Sequence, residues 1–285
     1  MQTPDDLDPY RSPRSETTQA DTGAGTSGQP LPWEPLDSYQ FAFKQLRAYP
    51  MAILFAFVAV MVASVIGGIG GLAQAALGAS PDEGLRVLGW VIYGLCVIVN
   101  VPIAAWMNVG QARCALAMMR GQRPEFSVLF ALRGTLSAIG AQILYSVGLM
   151  LVGGVLLGPG LVVLFNSNGQ SPAGPLLLIG GALPFMALAI FLAVKLTLLN
   201  VVAADRASGV FETLGRSWQL TTGAFWLFVL FVLLMMATQI VAFIGGLLLC
   251  CVGVMVTVPA GVMLIQLATA DAYLKRTGER PVGLA

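Results

Sequence analysis

The chain of 285 residues contains no histidine, and only 10% of its residues are charged. The lack of histidine removes the usual general base near neutral pH and the commonest metal ligand. Soluble domains carry about 25% charged residues, whereas 57% of this chain is hydrophobic and its mean hydropathy is +0.81. A bilayer must therefore take up much of the apolar surface. The net charge of +1 gives no indication of a nucleic-acid partner.

Cysteine pairs and catalytic motifs are also missing. The four cysteines form no CxxC pair, so no zinc or disulfide framework is readable, and we expect small buried hydrophobic side chains at Cys96, Cys114, Cys250 and Cys251. The sequence has no GxxxxGK[ST] loop, no GxSxG elbow and no paired carboxylates in its apolar segments. We therefore expect no enzymatic activity, no catalytic residues, no metal and no cofactor.

Residues 1–36 contain almost no aliphatic side chains and cannot bury enough surface to fold. Residues 1–37 carry a net charge of −5, and the rest of the chain carries +6. We predict a disordered acidic tail that could recruit a protein partner. The first apolar run begins near residue 51 and is too long for a signal peptide, so we expect it to remain as a membrane anchor.

Long charge-free runs follow the tail and predict six transmembrane helices. Residues 48–81 and 87–112 hold the first two spans. Residues 134–194 hold two more, separated by NSNGQSP at 166–172, and residues 217–270 hold the last two, with a turn expected at Gly245-Gly246. The fold class is therefore all-α and polytopic, with a six-helix transmembrane domain at 37–276 and a short tail at 277–285.

The basic residues fall in alternate loops, which sets the orientation. The three loops on the other side share one base, Arg86. Both termini are therefore predicted to be cytoplasmic. The base-rich segments contain Lys44 and Arg47, then Arg113, Arg120, Arg123 and Arg133, then Lys195, Arg206 and Arg216, and finally Lys275, Arg276 and Arg280.

Three similar units are readable along the chain. A Phe-x-x-Leu pattern precedes each odd-numbered span, at spacings of 83 and 85 residues, beginning at Phe43, Phe126 and Phe211. Each even-numbered span carries a proline, and a base follows eleven residues later in the first two units, at Arg113 and Lys195. We predict three parallel hairpin repeats, each preceded by a cytoplasmic interfacial amphipathic helix.

Aromatic side chains next to bases are typical of helices that lie in the membrane interface. The third such segment has an apolar stripe of Val210, Phe211, Leu214 and Trp218, and the first has one of Tyr39, Phe43 and Leu46. Asp37-x-x-Gln40 has the form of a capping box. Structural packing across the ends of the spans is the alternative to lipid binding. The predicted lipid contacts are Phe43, Arg113, Arg123, Phe126, Lys195, Arg206, Phe211, Arg216 and Trp218.

The polar residues of the spans have structural interpretations. Lys195 and Arg113 lie near the cytoplasmic ends of their spans, where we expect them to extend toward the interface. Interhelical hydrogen bonds account for Asn100, Gln142, Tyr145, Asn200 and Gln239. The pairs Gly67/Gly71 and Gly154/Gly158 permit close helix contact, within or between subunits, so a homo-oligomer is compatible with the sequence.

Four stretches carry a resemblance to a known group: RGQRPEFSVLF, GPGLVVLF, VKLTLLNVVAADRASGVFETLGRSWQLTTGAFW and VGVMVTVPAGVMLIQLATADAYL. Over residues 38–276 the chain resembles bacterial six-helix membrane domains of unassigned function, similar to the membrane domain of glycerophosphoryl diester phosphodiesterases. The resemblance implies the fold and a bacterial plasma-membrane setting. We do not expect the phosphodiesterase activity, because no catalytic barrel follows residue 276.

These features favour an integral membrane protein without catalytic chemistry that organises lipids or partners. A transporter or channel for a lipid or small solute is the main alternative, and an accessory subunit of a lipid-modifying enzyme is a third. A polar path between the helices would favour transport, and a dry bundle would favour a scaffold.

Overall fold

The structure, a computed structural model, describes residues 30–132, 134–166, 173–206, 209–249 and 252–283. These residues form helices and no strands, which confirms the all-α prediction. Six of the helices are long and apolar enough to cross a membrane. The elements are α1 (Pro35–Ala48), α2 (Met51–Gly78), α3 (Glu83–Met119), α4 (Phe126–Leu129), α5 (Thr135–Asn166), α6 (Ala173–Lys195), α7 (Leu199–Asp205), α8 (Val210–Thr221), α9 (Phe225–Leu248) and α10 (Val252–Thr277).

Consecutive spans pack in pairs. The most extensive contacts in the molecule join α2 to α3, α5 to α6, and α9 to α10. Pro102, Pro184 and Pro259 each lie inside a helix, as is common in membrane spans, where neighbouring groups satisfy the freed carbonyls. That the three pairs are sequence repeats remains a prediction.

The three pairs meet at one end, which we call the basic end because the base-rich segments converge there. It comprises residues 30–59, 105–141 (without Arg133), 194–231 (without 207 and 208) and 263–283, and it holds the buried hydrophobic side chains of the described chain. Helix α10 is central, since it contacts α1, α2, α3, α7, α8 and α9. Backbone hydrogen bonds tie both terminal segments to this end, from Leu31 to Lys275 and from Val282 to Met119.

The remaining halves of the spans are packed differently. Within described residues of 60–104, 142–193 and 232–262, the buried positions are all glycines except one proline. Each such glycine with a close neighbour meets its own pair partner: Gly70 meets Cys96, Gly153 meets Phe185, and Gly246 meets Val254. The buried positions are Gly70, Gly89, Gly153, Gly160, Gly174, Gly246, Pro259 and Gly261. Away from the basic end, the apolar side chains face outward and a bilayer can cover them.

Two local predictions are wrong. The expected capping box at Asp37 and Gln40 does not form, because α1 begins earlier, at Pro35, and Glu34 occupies the N-cap without a side-chain cap hydrogen bond. Proline at the first helical position favours this earlier start. The turn expected at Gly245-Gly246 lies inside α9, where Gly246 instead allows the approach of α10.

The segments that precede the odd-numbered spans differ from one another. Helix α4 is a single turn, whereas α1 has 14 residues and α8 has 12. The stripe predicted on α1 is only partly buried: Leu46 is buried, but Phe43 is exposed, and Ala42 and Ser38 are buried in its place. Of the tail predicted at 1–36, residues 30–36 are described, and Trp33 among them is buried. Outside the described chain lie residues 1–29, Arg133, the linker residues 167–172, residues 207 and 208, Cys250, Cys251 and the last two residues.

Candidate functional site

The ammonium group of Lys195 is enclosed where α6 ends. Its side chain is only 7% exposed. The Nζ atom lies 5.0 Å from the ring centre of Trp218, 5.8 Å from that of Phe225 and 5.9 Å from that of Phe191. It also donates a hydrogen bond of 3.2 Å to the Thr222 hydroxyl. We call Lys195 and these three rings the aromatic box. Lys195 lies at the basic end, as expected, but its side chain is buried among these rings.

Helix α8 contributes Trp218 to the box, and its hydroxyl side chains, rather than its aromatic ones, are buried. Its hydroxyl residues Thr213, Ser217 and Thr221 are buried, while Phe211 and Trp218 are exposed. The Ser217 hydroxyl donates to the Lys195 carbonyl at 3.0 Å, which α6 leaves without a helical partner where it ends. Hydroxyls at a spacing of four residues lie on one helix face, so α8 directs its polar face to the bundle and its aromatic face outward. An exposed aromatic face of this kind is typical of contact with a membrane interface.

An apolar groove lies beside the box, between α5, α6 and α8. Its volume is about 360 Å³. Trp218 belongs to both the box and the groove, and Leu214 of the predicted α8 stripe also lines it. Gly148 and Gly215 face open space in the groove, since a Cβ at either position would meet no atom within 4 Å. The other lining residues are Leu144, Tyr145, Leu149, Leu192 and Leu196.

Arg113, at the matching place in the first unit, has different surroundings. Its guanidinium donates to the carbonyl of Ala131 and, at 3.3 Å, to the hydroxyl of Thr135. These partners lie just before and at the start of α5. Arg113 therefore joins α3 to the beginning of the next pair, which is a structural role.

The other predicted residues are spread over the basic end. Phe126 packs in a tilted arrangement against Phe55 and Phe130, at centroid distances of 5.5 and 5.6 Å. Phe43 lies 5.0 Å from the Arg47 guanidinium. Of the nine predicted lipid contacts, the box brings together Lys195 and Trp218. Three of the remaining four are exposed: Arg123, Arg206 and Phe211. The fourth is Arg216, whose Nε is buried without a hydrogen-bond partner among the described residues.

A buried carboxylate that is not among the predicted site residues joins segments of the basic end. Asp271 is fully buried in α10. It accepts hydrogen bonds from the Ser38 hydroxyl at 2.5 Å and the Lys275 ammonium at 2.9 Å. Trp33 Nε1 in turn donates to Ser38 at 2.7 Å. The cluster holds the N-terminal segment against α10.

A second ionic cluster joins the end of α3 to two other segments. Arg120 lies 2.8 Å from a carboxylate oxygen of Asp205 and 3.1 Å from one of Glu279. Burial alone would lower the pKa of Arg120, but the two carboxylates outweigh it and raise the pKa. The Tyr273 hydroxyl donates to the other Asp205 oxygen at 2.7 Å. These contacts fix the end of α3 against α7 and the end of α10.

The described residues include no group of three or more histidine, cysteine or acidic side chains that could hold a metal ion. Comparison with known proteins finds no matching family model, no matching curated protein and no matching solved structure. The resemblance to phosphodiesterase membrane domains therefore stays a prediction, and the argument for function depends on the site itself.

Proposed function

We propose that this protein is a non-catalytic membrane protein that binds and organises anionic lipids at its basic end. The observation that carries the proposal is the buried ammonium of Lys195 beside an apolar groove. We propose further that it resides in a bacterial plasma membrane with both termini cytoplasmic, where the leaflet facing the basic end is anionic.

The charge of Lys195 supports an anionic ligand. Among the described residues Lys195 forms no ion pair, and its hydrogen-bond partner is neutral Thr222. A charge near the membrane is costly unless other groups compensate. Three rings within about 6 Å contribute cation–π attraction, worth up to about 2 kcal/mol for a desolvated contact. An ammonium group has three donors, so two remain for a phosphate oxygen.

The groove supports a lipid rather than a soluble anion. Its α5 and α6 walls belong to candidate membrane spans, and its lining is leucine, glycine and aromatic carbon. An acyl chain in this groove would have its headgroup near Lys195, because Trp218 borders both features. The predicted interfacial contacts Phe211 and Arg206, both exposed on adjoining segments, would meet the surrounding lipid.

Native mass spectrometry of the full chain released from nanodiscs tests the headgroup. In equal mixtures of phosphatidylglycerol and phosphatidylcholine, we expect retention of a stoichiometric anionic lipid. Lys195→Met keeps the apolar stem and should lower the anionic preference at least tenfold, the equivalent of about 1.5 kcal/mol for a direct hydrogen bond to a charged group. Lys44→Met removes the same charge from an exposed site and is the matched control. Equal losses in both variants would contradict the proposal.

A second pair of variants tests whether an acyl chain binds in the groove. Gly148→Leu places a side chain in the groove, whereas Gly154→Leu adds the same side chain to α5 at another open position. We expect the first to shorten the residence time of the bound lipid and the second to leave it unchanged. An unaffected lipid in Gly148→Leu would remove the groove from the account.

Transport of a lipid or small solute is a second candidate function. It is favoured by the looser packing between the helix pairs away from the basic end, where the buried glycines meet their own pair partners. A scramblase or uptake assay in proteoliposomes tests it. A protein partner recruited by the N-terminal tail, and assembly into a homo-oligomer, also remain proposals.

A further inference from the structure

A second cavity lies within the membrane-spanning part of the molecule, between α2, α3 and α5. Its volume is about 310 Å³, within the range of small-molecule sites. Its polar lining comprises Tyr93, Cys96, Asn100, Asn108, Gln142 and Ser146. None of these belongs to the box or groove of Lys195. We call it the amide cleft.

The polar residues are positioned by helix periodicity. Asn100 and Asn108 are eight residues apart on α3, and Gln142 and Ser146 are four apart on α5, so each set lies on one helix face. The stretch of α3 from Tyr93 to Asn108 covers about 22 Å along the helix axis, a large part of a hydrocarbon core of about 30 Å. The cleft therefore follows α3 over a length comparable to a large part of a hydrocarbon core.

Interhelical hydrogen bonding does not account fully for these amides. The Oδ1 atom of Asn100 is buried without a hydrogen-bond partner among the described residues. An unsatisfied buried acceptor costs about 1–3 kcal/mol. Gly67 opens the wall opposite, where a Cβ would lie 3.7 Å from the Asn100 amide nitrogen. A ligand hydroxyl could donate to this oxygen and accept from the amide nitrogens around it.

The lining also selects the class of ligand. Amides, hydroxyls and a thiol supply donors and acceptors, and none of the described residues that line the cleft carries a charge. A charged group in this low-dielectric position would find no counter-charge. We propose that the amide cleft binds an uncharged, hydroxyl-bearing group, either the headgroup of a neutral lipid such as diacylglycerol or a free polyol such as glycerol. This site is independent of the anionic-lipid site.

Two measurements on the full chain distinguish the sources. Native mass spectrometry with dioctanoylglycerol reports lipid binding, and stopped-flow light scattering of proteoliposomes reports glycerol permeability. Diacylglycerol binding without glycerol flux assigns the cleft to a lipid headgroup. Glycerol flux above that of protein-free liposomes assigns it to a solute. The absence of both overturns the proposal.

Neighbouring glycines supply the matched variants. Gly67→Leu fills the cleft, whereas Gly68→Leu adds the same side chain where a Cβ would meet no atom within 4 Å. We expect Gly67→Leu to reduce the positive signal at least tenfold and Gly68→Leu to leave it within twofold. An unchanged signal in Gly67→Leu contradicts the proposal.

Asn100→Leu covers the case in which Gly67→Leu does not fold. This change preserves side-chain size but removes both hydrogen-bonding atoms, and α3 retains its apolar character. We expect the same loss of at least tenfold with an unfolding temperature no lower than that of the native chain, because an unsatisfied acceptor is removed. Full retention of binding or flux by Asn100→Leu would overturn the proposal.

Discussion

The two ends of the bundle are packed very differently. At the basic end, large side chains such as Phe228, Met118 and Tyr273 are fully buried, and Arg120 forms ion pairs with carboxylates of other segments. Away from it, glycines provide the close contacts within each pair. Lipid tails are as apolar as leucine, so burial of leucine between spans adds little driving force. The comparison indicates that polar and close-packed contacts at one end specify the fold and that lipid can cover the rest.

Loss of the Asp271 carboxylate should show the largest difference in stability between the two ends. Asp271→Ala removes the partner of Lys275 and Ser38 and should lower the free energy of unfolding by about 3–5 kcal/mol, because two hydrogen bonds to a charged group, worth about 1.5–3 kcal/mol each, are lost together. At the opposite end, Asp82→Ala removes the N-cap hydrogen bond that the Asp82 carboxylate accepts from the Gly84 N–H, and this should cost about 1 kcal/mol. Unfolding of both variants in detergent micelles measures the difference, and equal costs would contradict the account.

Two glycines on α3 provide a smaller, steric comparison. A Cβ at Gly110 would overlap the Leu129 carbonyl, a backbone atom that cannot move aside easily, whereas a Cβ at Gly94 would meet nothing within 4 Å. Gly110→Ala should therefore destabilise the protein by about 3 kcal/mol. Gly94→Ala should be neutral or slightly stabilising, since alanine favours helix. Thermal unfolding of both variants under the same conditions tests the prediction, and tolerance of Gly110→Ala would mean that the basic end is loosely packed.

The smallest expected effect comes from the exposed and half-buried arginines. Arg120→Gln removes the ion pairs with Asp205 and Glu279 and should cost about 1 kcal/mol, less at high salt because water reaches part of the side chain. Arg86→Gln, at the exposed opposite end, should stay within about 0.5 kcal/mol of the native chain. Unfolding at two salt concentrations measures both. A salt-independent loss in Arg120→Gln would point to packing rather than charge.

The sequence predicted the six spans because apolar length is a direct consequence of bilayer thickness. It also located Lys195 and Trp218, since a base and an aromatic near span ends are readable. It could not predict that Lys195 and Trp218 lie close together, because their contact depends on how α8 packs against the end of α6. Asp271 was overlooked, although an acid four residues before Lys275 in a nearly apolar helix was a readable signal.

Local structure was predicted less well where competing signals were present. Pro35 started α1 before the capping-box residues, and packing kept Gly246 helical despite its low intrinsic helix propensity. The amide cleft could not be predicted from the sequence for another reason. Asn100 and Gln142 were recognised as buried polar residues, but only the arrangement of three helices reveals that one acceptor has no partner among the described residues.

Electron cryomicroscopy of the full chain in nanodiscs that contain phosphatidylglycerol would test the central claim most directly. The account predicts acyl-chain density in the groove between α5, α6 and α8, continuous with a headgroup whose phosphate lies within about 4 Å of the Lys195 ammonium. A groove closed by protein side chains, or ordered lipids whose headgroups all lie away from Lys195, would contradict it.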